Sequence, residues 1–302
     1  MNIELSGILP ALITPLNEDY SVNFGVLEQL LDRLYQSGVN GVYVCGQTGE
    51  GMAQSNESRR QVLETAIRCS PKGKLVIAHI GAARLDDALA LARHAESSGA
   101  HALSSLPPVG SFGFSEVRAW YEELTSATSL PFLPYYFPEA SPTISNYEQI
   151  EDLCSLPNVV GIKFTDFDLY KLQRLSRKGL TIFNGRDEVL CAGLLMGACG
   201  GIGSFYNVAP DLFQGIFEHT KKGEWEQARE LQDRVNELIA IVLRYPMLAA
   251  LKRMLAWTGL DCGPCLRPRR MLTPALEAEL VGELSAAKFD LELKLAVPQA
   301  RV

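Results

Sequence analysis

Eight short strand-like runs, separated by amphipathic helical segments, succeed one another over the first three quarters of this 302-residue chain. The strand-like runs begin near Gly7, Gly41, Leu75, Ala100, Pro131, Val159, Thr181 and Gly200. The helical segments cover residues 24–37, 57–69, 85–98, 115–126, 147–154, 169–178, 188–197 and 210–222. Because each right-handed crossover buries one helix face on the sheet, eight consecutive strand–helix pairs favour a closed parallel barrel.

The last quarter of the chain has no strand pattern. Residues 224–244, 247–257 and 274–293 each have the apolar periodicity of a helix. The apolar face of the first helix indicates a packing surface, against the barrel or another subunit, and consists of Leu231, Val235, Leu238, Ile239 and Val242. We therefore predict an α/β fold: a (β/α)8 TIM barrel over residues 1–223, with a C-terminal helical extension, residues 224–302, docked on it.

Composition and charge narrow the function classes. A hydrophobic content of 47% allows a large buried core, and a net charge of −7 argues against a nucleic-acid-binding protein. The basic cluster Arg267, Arg269 and Arg270 lies in a proline-containing turn, which indicates a solvated loop. The first residues lack the layout of a secretory signal, and no apolar stretch reaches the roughly 18 residues that span a bilayer. We expect a cytoplasmic protein without nucleic-acid or membrane partners.

Seven cysteines, an odd number in a large chain, indicate reduced thiols rather than a disulfide framework. Cys262 and Cys265 have the spacing of a thioredoxin-type dithiol, but they follow helical sequence instead of separating a strand from a helix. No second ligand pair follows them, and the four histidines have no metal-ligand spacing. The patterns favour neither redox nor metal chemistry.

Lys163 is the one charged residue in the apolar run from Val159 to Thr165, and Thr165 follows on the same strand face. Burial disfavours an ammonium and lowers its pKa, which makes the amine a nucleophile able to form a Schiff base with a ketone. The alternative is a lysine at a strand end that reaches solvent or pairs with Asp166.

Two earlier strand ends carry groups that suit an active site, because the catalytic residues of a barrel lie at the C-terminal ends of its strands. The second strand runs into the turn 46–51, whose glycines let backbone amides and the Thr48 hydroxyl approach an anion such as a carboxylate. The fifth strand ends at Tyr135, a phenol suited to proton transfer. An ordinary turn and a core tyrosine are the alternatives.

The last two strands also end in polar residues. Gly185, Asp187 and Glu188 follow the seventh strand, where an acid could instead cap the helix that begins there. The eighth strand ends in the glycine-rich run 200–204, which closes with Ser204, where barrels often bind phosphate. Since neither a P-loop lysine nor a complete dinucleotide fingerprint accompanies this run, a phosphorylated substrate stays an alternative but a nucleotide is disfavoured.

Five short motifs, in register along nearly the whole chain, resemble those of the N-acetylneuraminate lyase and dihydrodipicolinate synthase family. They are Gly46-x-Thr48-Gly49-Glu50, Tyr135-x-x-Pro138, Gly161-x-Lys163-x-Thr165, Gly185-x-Asp187-Glu188 and Gly200-Gly201-Ile202-Gly203-Ser204. Each motif alone is weak, but the five together, followed by the helical tail, are specific for the family.

The resemblance implies a pyruvate-dependent Schiff-base aldolase that acts on a 2-keto acid. Lys163 would attack the keto carbon, Tyr135 would relay protons, and Thr48 with the surrounding amides and Gln47 would hold the carboxylate. No cofactor is implied, because the protonated imine is itself the electron sink. The family also implies a homotetramer built as a dimer of dimers.

Departures from the motifs bear on the substrate. Ala140 stands where dihydrodipicolinate synthases typically have a carboxylate-binding arginine, which disfavours that branch. The branch of sialic-acid lyases is favoured by groups that would hydrogen-bond a polyol tail, namely Thr165, Gly185, Asp187, Glu188 and Ser204. We therefore expect an N-acetylneuraminate lyase that yields pyruvate and N-acetylmannosamine.

Other functions stay open at this point. Gln47 replaces the small hydroxyl residue that usually precedes Thr48, and Phe112 lies nearest to the family tyrosine that often enters a neighbouring subunit's site. These differences keep an aldolase or dehydratase for another 2-keto-3-deoxy sugar acid, or a dihydrodipicolinate synthase-like enzyme, as alternatives. A non-catalytic sugar-acid sensor is the alternative from a different class.

Overall fold

The computed structural model describes residues 4–295, and its centre is an eight-stranded parallel barrel. Its strands are β1 (Gly7–Pro10), β2 (Gly41–Val44), β3 (Leu75–His79), β4 (Ala102–Ser105), β5 (Phe132–Tyr136), β6 (Gly161–Phe164), β7 (Thr181–Asn184) and β8 (Gly200–Gly203). From β2 to β8 each strand pairs in parallel with the next, and β8 pairs with β1. A parallel bridge between Ala11 and Tyr43 joins β1 to β2. The predicted (β/α)8 barrel is therefore confirmed.

One helix follows each strand and packs outside the barrel. These helices are α1 (Phe24–Gln36), α2 (Asn56–Cys69), α3 (Leu85–Ser98), α4 (Phe114–Ser126), α5 (Tyr147–Cys154), α6 (Leu169–Ser176), α7 (Leu190–Leu195) and α8 (Pro210–Lys222). The seventh is shorter than the predicted segment 188–197, because Asp187–Val189 forms a separate 3-10 turn.

Two apolar cores result from the alternation of side chains along the strands. The barrel interior contains Leu9, Ala11, Tyr43, Leu75, Ile77, Ala102, Leu133, Phe183 and Ile202. A larger core, between the strands and the helices, includes Ile162 and Phe164 of β6. Since Lys163 lies between these two outward residues, its side chain faces the barrel interior, at the carboxyl end of the strand.

Up to residue 295, the C-terminal extension contains four helices: α9 (Trp225–Val242), α10 (Met247–Trp257), α11 (Pro274–Ala286) and α12 (Phe289–Glu292). The predicted helix 274–293 is interrupted, because Lys288 adopts a left-handed conformation with φ of 62°. The predicted apolar face of α9 packs within this chain, where Val235, Leu238 and Val242 are fully buried. Residues 296–302 of the predicted extension lie outside the described residues. Across residues 4–295, every helix is too short or too polar to cross a membrane.

Candidate active site

A cavity of about 490 Å³ opens at the carboxyl ends of the strands, between the barrel and the C-terminal extension. The residues singled out in the sequence all line it, although they come from five separate segments: Gln47, Thr48, Tyr135, Lys163, Thr165, Gly185, Asp187, Glu188 and Ser204. Helix α10 and the loop that follows it cover one side of this cavity through Met247 and Cys265. The fold thus brings the predicted site residues together at one place.

Lys163 is buried between two aromatic rings. Its Nζ atom lies 4.0 Å from the ring centroid of Tyr135, its register partner on β5, and 4.2 Å from that of Tyr43. Burial lowers the pKa of Lys163 to about 7, and the nearby carboxylate of Asp187 partly opposes this shift. A substantial fraction of the amine is therefore neutral, and nucleophilic, near neutral pH.

Asp166, the alternative partner of Lys163, is engaged elsewhere. Its carboxylate accepts a hydrogen bond from the Tyr136 hydroxyl at 3.2 Å and lies 3.7 Å from the ammonium of Lys171. Among residues 4–295, Lys163 forms no ion pair with any carboxylate at contact distance. The alternative of a surface ion pair for Lys163 is therefore wrong.

Tyr135 presents a protonated phenol to the same cavity. The side chain is 4% exposed, and its ring stacks on Phe137 with the centroids 5.9 Å apart. Burial raises the pKa of Tyr135 to about 12, so the phenol keeps its proton at neutral pH. Such a group can donate a proton and recover it within one reaction cycle.

The turn after β2 presents Thr48 to the cavity. The Thr48 hydroxyl lies 2.6 Å from that of Ser204, which joins this turn to the end of β8. Close packing requires glycine at position 51, where a Cβ atom would lie 1.8 Å from the carbonyl oxygen of Cys45. Gln47 is half-buried beside Thr48 and lines the cavity as well. The turn therefore offers hydroxyl and amide groups at the cavity wall.

Two buried side-chain oxygen atoms of residues that line the cavity have no hydrogen-bond partner of good geometry among the described residues: Thr165 Oγ1, which lies near the Tyr135 hydroxyl, and Asp187 Oδ1. Gly185 leaves room for the first, since a Cβ atom there would lie 1.9 Å from Thr165 Oγ1. The other oxygen of Asp187 accepts the Phe205 amide at 2.9 Å, so this carboxylate bonds to the turn that follows β8 and does not cap its own helix. Buried polar atoms without partners are suited to bind a hydroxylated ligand.

Burial also shifts the second titratable group of the cavity. The pKa of Asp187 is raised to about 7, chiefly because its carboxylate is desolvated, while the Phe205 amide and Lys163 favour its charged form. A buried amine and a buried carboxyl group thus both titrate close to neutral pH, which is typical of catalytic sites. In the part of the chain that the structure describes, no cluster of three or more His, Cys, Asp or Glu residues could hold a metal ion.

Residues 4–287, almost the whole chain, match the profile of the Dihydrodipicolinate synthetase family. The chain belongs to the dihydrodipicolinate synthetase family. The N-acetylneuraminate lyase of Rhizobium meliloti (strain 1021) is 37% identical to it over 276 residues, which cover 90% of this chain and 92% of that protein.

Solved structures of sialic acid aldolases resemble this chain in both fold and length. Proteus mirabilis N-acetylneuraminate lyase is 32% identical, has a TM-score of 0.87, and is matched over 95% of this chain and 99% of its own. A catalytic lysine mutant of the Ruminococcus gnavus sialic acid aldolase is 27% identical, with a TM-score of 0.89 and coverage of 96% and 97%.

Three arginines that line the cavity were not predicted as site residues. Arg186, on the seventh strand's loop, lies over the ring of Phe167 at 4.4 Å and pairs with Glu139. Arg269 and Arg270 belong to the loop interpreted as solvated; both are exposed, yet both line the cavity mouth. The sequence contained one signal that could have identified Arg186: it lies between Gly185 and Asp187, two residues of a family motif.

The cysteine pair and Phe112 carry no group suited to the proposed chemistry, although Cys265 lines the cavity. Cys262 and Cys265 are free thiols, and burial raises their pKa values to about 12 and about 11, so both are poor nucleophiles. They occupy the loop after α10, not a strand–helix junction. Phe112 is 39% exposed in the loop before α4 and does not line the cavity.

The lowered pKa of Lys163 predicts the pH dependence of its reaction with a keto acid. Only the neutral amine attacks, so imine formation with pyruvate should rise up to about pH 7 and then level off. An ordinary lysine, with a pKa of 10.5, would continue to gain reactivity well above that pH. The measurement is the initial rate of Lys163 labelling in the presence of pyruvate and cyanoborohydride, determined by mass spectrometry. The reduction step itself depends on pH, so its rate is measured separately on a model imine and used to correct the labelling rate.

Asp187 supplies the control for this pH profile. Its negative charge favours the ammonium form of Lys163, so Asp187→Asn should move the midpoint of labelling to lower pH. A wild-type midpoint above pH 9 would contradict the assignment of a desolvated amine.

Proposed function

We propose that this protein is a pyruvate-dependent Schiff-base aldolase, a carbon–carbon lyase, and that it cleaves N-acetylneuraminate to pyruvate and N-acetylmannosamine. The observation that carries the proposal is the buried Lys163 amine, 4.0 Å from the Tyr135 ring, at the carboxyl end of a barrel strand. The relatives are named N-acetylneuraminate lyase and sialic acid aldolase, and one neighbouring structure is described as a catalytic lysine mutant.

The proposed reaction needs no cofactor. The neutral amine of Lys163 adds to the keto carbon, and the carbinolamine loses water to give a protonated imine. Loss of the proton from the substrate's 4-hydroxyl breaks the bond between C3 and C4, which releases the aldehyde and leaves an enamine on Lys163. Protonation of the enamine and hydrolysis of the resulting imine then release pyruvate and regenerate the amine. Tyr135 is proposed to relay these protons, because its phenol lies beside the amine and stays protonated.

Substrate recognition divides between the two sides of the cavity. We propose that Thr48 and the amides of its turn, with Gln47 beside them, hold the carboxylate of the keto acid. The polyol tail would be hydrogen-bonded by a second group of residues, the tail wall, which consists of Thr165, Gly185, Asp187, Glu188 and Ser204. The Ser204 hydroxyl lies next to that of Thr48, where the carboxylate site and the tail wall meet. The unpartnered oxygens of Thr165 and Asp187 support this division, because a substrate without hydroxyls would leave them buried and unpaired.

A second candidate function is favoured by Arg186. Position 140 is alanine, so the arginine typical of dihydrodipicolinate synthases is missing, but Arg186 places a guanidinium at the cavity from another strand. That guanidinium pairs with Glu139, whose side chain is 62% exposed and therefore free to leave. A keto acid with an anionic or differently hydroxylated tail, such as another 2-keto-3-deoxy sugar acid, is the substrate class that this geometry would accept.

A substrate panel tests the proposal. We expect pyruvate release from N-acetylneuraminate with kcat/KM at least about tenfold above that for 2-keto-3-deoxygluconate, because the shorter acid leaves polar groups of the tail wall unpaired. Thr165→Val should narrow this preference, since it removes one of the unpartnered hydroxyl groups. The reverse preference would favour the second candidate, and tight binding without any pyruvate release would indicate a sensor.

We further propose a cytoplasmic homotetramer, a dimer of dimers, without nucleic-acid partners, in which residues 1–223 form the catalytic barrel and 224–302 the extension. Seven free cysteines support a reducing compartment. Large apolar side chains exposed on one helix and the loop before it, Tyr170 at 68% and Phe167 at 51%, support a subunit contact. The mass of the particle in sedimentation tests the assembly, and fractionation of the producing cell tests the compartment.

A further inference from the structure

Glu50 ends the motif that contains Thr48, yet its side chain turns away from the cavity. Its backbone is left-handed, with φ of 56°, and its residue is 2% exposed. The carboxylate forms an ion pair with Lys252 of α10, with Oε1 and Nζ 3.0 Å apart. It also accepts the backbone amide of Leu266, in the loop after α10, at 2.7 Å. The guanidinium of Arg269, which lines the cavity mouth, lies 3.9 Å from the same carboxylate. A residue of the barrel's active-site turn is thus bound by three residues of the extension: Lys252, Leu266 and Arg269.

Lys252 completes this connection. The residue is 1% exposed, and its ammonium donates a hydrogen bond to the Pro264 carbonyl at 2.6 Å. One buried cation therefore contacts the turn after β2 and the loop after α10 while it sits on α10 itself. Neither Glu50 nor Lys252 lines the cavity, so any effect on the reaction must act through other residues.

The remaining contacts of the turn hold its glycines. The Gly49 carbonyl accepts the Thr14 hydroxyl at 2.8 Å and the Gln54 amide at 2.5 Å, and Gly51 bonds back to Gly46 at 3.0 Å. These bonds fix the turn's position against the segment that follows β1 and the residues that precede α2. The contacts of the Glu50 carboxylate with Lys252, Leu266 and Arg269 set the position of the turn relative to the extension, which lines another part of the cavity.

A buried ion pair is weak evidence of stability, because desolvation of the two charges offsets much of their attraction. Apolar residues of similar volume often stabilise a fold equally well, whereas a charged pair with defined hydrogen bonds fixes one geometry. The geometry fixed here is that of Thr48, two residues before Glu50. The ion pair is therefore better suited to position the turn than to stabilise the fold.

We propose that Glu50 and Lys252 are positioning residues: through their ion pair, the C-terminal extension holds the Thr48 turn in the geometry that binds the keto acid's carboxylate. The inference rests on the proposed function, in which that turn is the carboxylate site. It assigns the extension a part in substrate binding, in addition to its part in covering the barrel.

The experiment traps pyruvate on Lys163 with cyanoborohydride and measures both the half-saturating pyruvate concentration and the maximal trapping rate. Glu50→Gln keeps the shape and removes the charge. We expect its half-saturating concentration to rise about tenfold or more, with the maximal rate within about twofold, because binding geometry changes and the amine does not. Arg253→Met is the matched control, since Arg253 pairs with Glu277 within the extension at 31% exposure and does not touch the turn.

Glu50→Gln leaves the Lys252 ammonium buried and unpaired, which can prevent folding. In that case the same measurement is made on the double variant Glu50→Gln with Lys252→Met, which removes both charges. A folded single or double variant with the wild-type half-saturating concentration would overturn the inference. A shift of the same size in Arg253→Met would also overturn it, because any loosening of the extension would then suffice. Wild-type protein that traps no pyruvate on Lys163 would instead refute the proposed function itself.

Discussion

Lys163→Ala is expected to lower kcat for pyruvate release by at least about 10⁴-fold, because covalent catalysis is lost with the amine. Within residues 4–295, Lys163 is the one lysine that lines the cavity, so its amine is the group there that can form the imine. Release of pyruvate from N-acetylneuraminate gives the rate, and mass spectrometry after borohydride reduction locates the adduct. Labelling at a residue other than Lys163 would refute the Schiff-base assignment.

The fold should survive this substitution. Lys163 forms no ion pair within the described residues, and burial of its ammonium opposes folding. The substitution removes this unfavourable burial, which offsets the loss of the cation–π contacts with Tyr43 and Tyr135. Lys171→Ala is the matched control, because this lysine lies near the same strand but pairs with Asp166 and Asp168 outside the cavity. We expect Lys171→Ala to keep kcat within about twofold, with both variants folded by circular dichroism.

Local patterns made the barrel and much of its site predictable. A cation in an apolar strand has few physical explanations, and strand periodicity predicted that Lys163 and Thr165 share one face. The structure shows that this is the inner face, since Ile162 and Phe164 point outward. Parallel strands carry their carboxyl ends to one edge, so residues 48, 135 and 187 could be expected to converge. Their identification as a set also depended on the family resemblance, since each motif alone had an ordinary structural explanation.

Contacts between distant segments were not predictable in this way. The Glu50 carboxylate and the Leu266 amide are separated by 216 positions, and no local periodicity relates a turn after β2 to a loop after α10. The position of Arg269 and Arg270 was missed for the same reason. Their basic, proline-containing loop has the sequence of a solvated loop, and only the docking of the extension brings it to the cavity mouth. The break at Lys288 likewise depends on a left-handed residue that has no distinctive sequence.

The pKa shifts of Lys163 and Asp187 have the same physical cause. Burial disfavours the charged form of each, lowering the pKa of Lys163 and raising that of Asp187 until both lie at about 7. Their mutual attraction opposes both shifts, so a change in the charge of one group alters the pKa of the other. A substrate that hydrogen-bonds Asp187 would therefore change the charge that Lys163 experiences, which couples occupation of the tail wall to the amine.

Tyr135→Phe is expected to lower kcat by about 10²- to 10⁴-fold, the range for loss of a positioned proton donor and acceptor, with KM changed much less. The variant keeps the ring that covers Lys163 and stacks on Phe137, so the desolvated amine should still be present. Steady-state kinetics with N-acetylneuraminate measure both parameters, and pyruvate trapping shows whether imine formation itself is slowed.

The adjacent tyrosine provides the control, because the strand alternation sends it to the opposite face. The Tyr136 ring packs on Phe164 in the outer core and its hydroxyl bonds Asp166, so Tyr136→Phe removes a hydroxyl one residue away without touching the cavity. We expect it to keep kcat within about twofold. If Tyr135→Phe kept kcat within the same range, the protons would have to pass through water or the substrate's own carboxylate, and the phenol would serve only to shield Lys163 from solvent.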